Sequence, residues 1–504
     1  MTSRSTAPAL FAVLMFCSVS AAQAQRADLG HISFTNSGSA AAQDAFVDGV
    51  RLMHSFEYED AATAFRVAQH ADPGFALAFW GEAMTYNHAI WMQQDRDAAL
   101  GALARLAPTP EARRDRAGSE REKRYMDAVE ILYGEGPKEE RDDRYADAMR
   151  RLHEAYPEDD EATVFYSMAL LGTSHEGRDF TTYMLAASVA GPVFEANPEH
   201  PGAAHMLIHS FDDPIHAPLG LPAAVAYSDI APGAAHAQHM TSHIFVARGM
   251  WDDVVRANEV ARDVSNARAA TLDRREGVCG HYTSWLEYGY LQQGRFDTAG
   301  DVLGKCAARI DVEPNRGELN YYRSMMLMYA IDTEDWEAVD RFRRDALGEA
   351  AIRLRWMDGY RAVLEADEAG AREALGAMGE ATAPMIRASA LELEGMIEMR
   401  WGASVDAGLA LLREAAELEE SLPYEFGPPR ISLPTYEALG DGLMVAGRPD
   451  EAIDAYRTQL GRTPGRARSL VGLAEAAEAS GDYALASETR SALSGVWAST
   501  ENDR

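Results

Sequence analysis

Basic blocks are missing from this chain of 504 residues, where 79 acidic side chains outnumber 47 basic ones and leave a formal charge of −32. Without a Lys/Arg-rich stretch there is no footprint for phosphate backbones or anionic lipid, so nucleic acid is not expected as a partner. Runs of alternating β-branched residues between turn signals are also lacking, which argues against a sheet protein. No P-loop, G-x-G-x-x-G, G-x-S-x-G or C-x-x-C pattern occurs, and the H-E-x-x-H pair of a metalloprotease, with its general-base glutamate, is absent. Beyond the N-terminus no apolar run is long enough to span a bilayer. The hydrophobic fraction of 47% is that of a folded chain and excludes wholesale disorder.

The first residues read as an address. Arg4 opens a short polar start, Leu10 to Ser20 is apolar, and Ala22-Gln23-Ala24 has the small-x-small form of a secretory cleavage site. Cleavage is expected after Ala24, giving an exported chain, periplasmic or secreted, with no membrane insertion. Of three cysteines, Cys17 lies in that segment and Cys279 and Cys306 remain. A disulfide between them is the first reading, two buried thiols the second, and thiolate ligation through Cys279-Gly280-His281 the third.

Periodicity organises the rest. Gly447 and Gly481 are 34 residues apart, each followed five residues later by an alanine, Ala452 and Ala486. Gly49, Ala61, Phe65, Ala68 and Pro73 then fall at the eighth, twentieth, twenty-fourth, twenty-seventh and thirty-second places of one such period counted from Ala42. Small residues let two antiparallel helices approach, Phe65 fills the space beside them, and the proline closes the second helix. Leu286, Tyr290, Gly294, Ala299 and Leu303 mark another unit, and Phe245, Gly249 and Trp251 a further one.

These marks resemble the tetratricopeptide-repeat family. The resemblance implies an all-α solenoid of helix-turn-helix repeats whose first helices line a concave groove. The expected division is a signal peptide over 1–24, a lead-in over 25–41, a repeat array with a histidine-rich concave site over 42–310, degenerate helical repeats over 311–432, and a C-terminal repeat pair over 433–500. The segments GAAHMLIHSFDDP and HAQHMTSHIFVARGMW also resemble parts of a group of long bacterial tetratricopeptide proteins, a likeness that supplies no substrate.

Histidine is where the chain departs from a scaffold. Eight of fourteen lie between His175 and His243. His205 and His209 are four apart, His239 and His243 are four apart, and the two pairs are one 34-residue period from each other. Residues at i and i+4 share a helix face, so each pair points one way, and neighbouring first helices bring two pairs together. His54 and His88 also differ by 34 and take the thirteenth, groove-facing place, while His236 and His281 take the second place of their units. Glu437 and Asp441 form a carboxylate pair that reads as a solvated helix face.

Neutral imidazoles at this spacing are ligands for zinc, copper or iron. The expected ligands are His205, His209, His239 and His243, with His88, His236 and His281 as further candidates and Asp212, Asp213, His236 and His281 as candidate catalytic groups. The four ring systems of the two pairs are expected to approach within about 4 Å, as ligands near 2 Å from one ion require. The preferred function is an exported metal-dependent enzyme acting on a small-molecule or peptide ligand in the groove, its chemistry hydrolytic or oxidative. The alternatives are a repeat scaffold that binds a peptide or protein, and a metal-delivery protein.

Overall fold

The computed structural model describes residues 29–344, 352–379, 382–424 and 426–497; the expected signal segment lies outside them. It is a helical-repeat α-solenoid of the tetratricopeptide type, built of consecutive antiparallel hairpins. Examples are Ala40–His54 with Tyr58–Ala71, His281–Gln292 with Phe296–Ile310, and Thr435–Val445 with Pro449–Arg462. Among the described residues the only strand pairing joins Asn87–His88 to Gln93–Gln94. No helix of the described residues is long and apolar enough to cross a membrane.

The small and large residues of the period explain the close packing. A Cβ on Gly49 would lie 2.8 Å from the ring of Phe65, which is fully buried, and a Cβ on Gly440 would lie 2.7 Å from the ring of Tyr456. Glycine is therefore required at the eighth place wherever an aromatic ring fills the twenty-fourth. Helix starts are set by side chains that accept orphan amides: Asp159 from Ala162, Asp179 from Thr181 and Thr182, and Asn315 from Glu318.

The fifteenth place ends the first helix of a hairpin, where the chain turns through the left-handed region. Gly249, Gly294, Gly447 and Gly481 supply it with φ of 67°, 71°, 70° and 85°. Phe56 occupies the same place with φ 54°, and the Glu57 amide reaches back to the Leu52 carbonyl at 2.9 Å as the Arg448 amide does to Leu443. A bulky side chain in this conformation is an outlier that points to a local role.

The described chain divides into two compact units. One holds the described part of Met1–Phe211 with Gly220–Thr241, the other Asp212–Leu219 with the described part of Ser242–Arg504. The division falls inside the helix Ala235–Ala247. In the second unit Cys279 and Cys306 are disulfide-bonded, with their Cα atoms 4.7 Å apart. The pair Glu437 and Asp441 does not form a solvated face there: Glu437 is fully buried and receives Arg466 through Nε at 2.8 Å, and Asp441 receives the Tyr456 hydroxyl at 2.5 Å. Arg466, itself buried, also reaches Asp332 at 2.9 Å. Charge spacing along one helix gave no hint of these partners from outside that helix.

Candidate metal centre

In the first unit, three imidazoles come from two helices. Pro201–Ser210 carries His205 and His209 one turn apart, and Ala235–Ala247 carries His236 near its start. All three are buried, and one ligand nitrogen from each lies within 4.8 Å of the others. Ring centroids are 4.7 Å apart for His205 and His209 and 5.1 Å for His205 and His236. The His205 Nδ1–H donates to the His54 carbonyl at 2.6 Å, which leaves Nε2 with its lone pair. Arg178 donates to the His209 and Ser210 carbonyls at 3.3 and 2.7 Å and so holds the helix C-terminus that carries the pair.

Aromatic rings wall this centre. Phe56 lies 4.3 Å from His205, 5.7 Å from His209 and 5.3 Å from His236 between centroids, so the side chain at the strained fifteenth place touches all three imidazoles. Trp91 is 5.8 Å from His236 and is exposed, which puts it at the outer edge of the wall. His88 stacks on Tyr58 at 4.1 Å and sits on the short strand after the helix ending at Met84, outside the three-imidazole group. The thirteenth-place helical position expected for it is not formed, because the chain leaves the helix before reaching that place. Burial lowers the His88 pKa, with the Thr85 carbonyl opposing the effect.

His239 is fully buried in the first unit, 6.2 Å from His236 between centroids. His243 belongs to the second unit, where its Nδ1–H donates to Asp212 at 2.6 Å and its ring packs 4.4 Å from Trp285 and 5.4 Å from Phe426. A carboxylate on Nδ1 fixes the ring and leaves Nε2 as ligand or base. Half-buried His281, in the same unit, is pushed down to about 3 by burial and by the charge of His243. Asp213 accepts the amides of Ile215 and His216 at 3.0 and 2.9 Å, and both its oxygens lie 3.0 Å from His216 Nδ1. That geometry makes Asp213 a turn-forming group.

A second group of the first unit combines His54, Glu161 and His200, all buried, again with ligand atoms within 4.8 Å. His54 Nε2 is 2.6 Å from Glu161 Oε2, and His200 Nε2 is 3.3 Å from Glu161 Oε1. Sequence reasoning missed Glu161 and His200. The helix Asp160–Leu171 is buried on every side from Glu161 onward, so a carboxylate there must enter the interior. Phe56 was missed too, although its place in the period, glycine in other units, was legible.

No family model and no curated protein matches the chain. Solved structures similar to it include the human IFIT1 dimer with m7Gppp-AAAA, at 11% identity over 94% of this chain and 93% of that one with a TM-score of 0.36. Yeast Tom70 is similar at 12% identity over 88% and 96% with a TM-score of 0.36, and the APC/C hetero-tetramer Cut9-Hcn1 at 14% over 92% and 82% with a TM-score of 0.35. At these values nothing beyond helical-repeat architecture transfers. The expectation that nucleic acid is excluded as a partner is corrected: the first of these structures is solved with m7Gppp-AAAA, and net charge gives no ground for the exclusion. Net charge averages a whole surface, whereas binding reads a local patch.

Proposed function

We propose that this protein is an exported metal-dependent enzyme whose ion is held by His205, His209 and His236. The observation that carries the reading is the burial of three imidazoles with ligand nitrogens within 4.8 Å, one of them already oriented through its other nitrogen. Three neutral nitrogens suit zinc, copper or iron and leave a coordination position open. An ion held there would supply an acidified water for attack at neutral pH or, as copper or iron, oxygen chemistry. His239 adds an imidazole in this unit, 6.2 Å from His236 between ring centroids. The apolar leader to Ala24 and the Cys279–Cys306 bridge support export. The paired His-x3-His segments support membership of a bacterial group of tetratricopeptide proteins with a shared site.

Metal analysis of untagged protein purified from the periplasm tests the reading. About one tightly held ion per chain is expected, lost in His205→Ala/His209→Ala and in His236→Ala. A chain that folds normally yet takes up no zinc, copper or iron would refute it. Several weakly held ions without turnover would favour delivery.

A further inference from the structure

The His54, Glu161 and His200 group has the composition of a metal site, but its hydrogen bonding argues otherwise. His200 caps the helix Pro201–Ser210: its Nδ1 accepts the Ala203 amide at 3.2 Å. A neutral ring that accepts at Nδ1 carries its proton on Nε2, the atom facing Glu161 Oε1 at 3.3 Å. That nitrogen turns its proton towards the carboxylate at ion-pair distance, short of a formed hydrogen bond, and has no lone pair for an ion. His54 presents Nε2 to the other carboxylate oxygen at 2.6 Å, its ring stacked 5.0 Å from Phe165. Gly202 lets the helix come this close, since a Cβ there would lie 2.7 Å from His54 Cε1.

The consequence is mechanical. His54 ends the helix Ala40–His54, supplies the carbonyl that orients His205, and precedes the turn carrying Phe56. His200 begins the helix that carries His205 and His209. One buried carboxylate thus ties the two pieces of chain whose separation decides whether His205 meets the His54 carbonyl and whether Phe56 meets the imidazoles.

We infer that Glu161 is a positioning residue of the three-imidazole centre, joining His54 to His200 and thereby fixing the ring orientation of His205, without being a ligand itself. The inference rests on the metal reading for its functional meaning, but the orientation of His205 is measurable without metal. Imidazole ¹⁵N shifts of the metal-free, full-length chain should show His205 protonated on Nδ1 in the parent and a mixture of tautomers in Glu161→Gln. Titration with Co²⁺ should give one equivalent in both, bound about 10- to 100-fold more weakly in the variant and with a changed d–d spectrum. His200→Asn keeps an N-cap residue while cutting the tie to Glu161, and should reproduce both effects if Glu161→Gln fails to fold. Glu287→Gln, a buried carboxyl of the second unit, should change neither readout. An unchanged His205 tautomer in Glu161→Gln or His200→Asn would overturn the inference, as would loss of a second equivalent of Co²⁺ on removing Glu161. If the parent binds no Co²⁺, the metal reading fails while the tautomer comparison still decides the positioning role.

Discussion

Replacing Phe56 by glycine and by alanine gives a test whose sign is unusual. In ordinary helix or strand interiors glycine is less stable than alanine by roughly 0.5–1 kcal/mol. Phe56, however, sits at φ 54°, where a side chain costs roughly 1–2 kcal/mol that glycine avoids. Both variants lose a ring that is 7% exposed and packs on His205, His209, His236, Tyr58 and Trp91, a loss of about 3–5 kcal/mol. Phe56→Ala keeps the strain and should show the whole loss. Phe56→Gly recovers the conformational cost and should be destabilised by only about 1–4 kcal/mol, in each case less than Phe56→Ala. A chain of two units does not unfold as one step, so the measurement is hydrogen exchange of amides at the turn, including Glu57 on Leu52. Exchange should be slower in Phe56→Gly than in Phe56→Ala. If Phe56→Ala is equally or better protected, the left-handed turn is not under strain and the argument for a functional aromatic at this place is wrong.

Other consequences are as direct. Gly202→Ala should weaken the first unit by about 1–3 kcal/mol through overlap with His54, read as faster exchange in the helix Pro201–Ser210. Glu437→Ala leaves Arg466 buried with only Asp332 as an anionic partner and should cost about 3–5 kcal/mol in the second unit, seen as a lower denaturant midpoint there. Reduction of the Cys279–Cys306 bridge, whose sequence separation is 27, should remove about 3.5 kcal/mol by the chain-entropy relation. Acid should act on the two units with opposite signs. Burial alone would raise the Glu161 carboxyl, but His54 and His200 outweigh it and hold it down at about 2. Its contribution, on the order of 3 kcal/mol, is complete above the ordinary value of 4.5 and is lost as pH falls from there towards 2. Glu287 and Glu392 are raised by burial, so their contribution is present below 4.5 and is lost as pH rises through their folded values. Exchange measured unit by unit between pH 3 and 8 should show this contrast, and parallel profiles would contradict it.

Whatever depends on neighbours along the chain is legible in the residues alone. Gly49 with Phe65, the 34-residue period and the turn at the fifteenth place follow from helix geometry and from the volume of a few side chains. The four-residue spacing of His205 and His209 placed both on one face for the same reason. Which third imidazole joins them was decided by packing: within the first unit it is His236, which the spacing offered as a further candidate beside the two pairs. The bonds that give the centre its form join His54 to Glu161 across 107 residues and His205 to the His54 carbonyl across 151. His243 takes Asp212, while Asp213 is spent on its own turn. Spacing fixes the face a residue presents, because a helix repeats locally. It does not fix what meets that face, because a partner from another hairpin is selected by packing, by the burial of Glu161 and by the turn at Phe56.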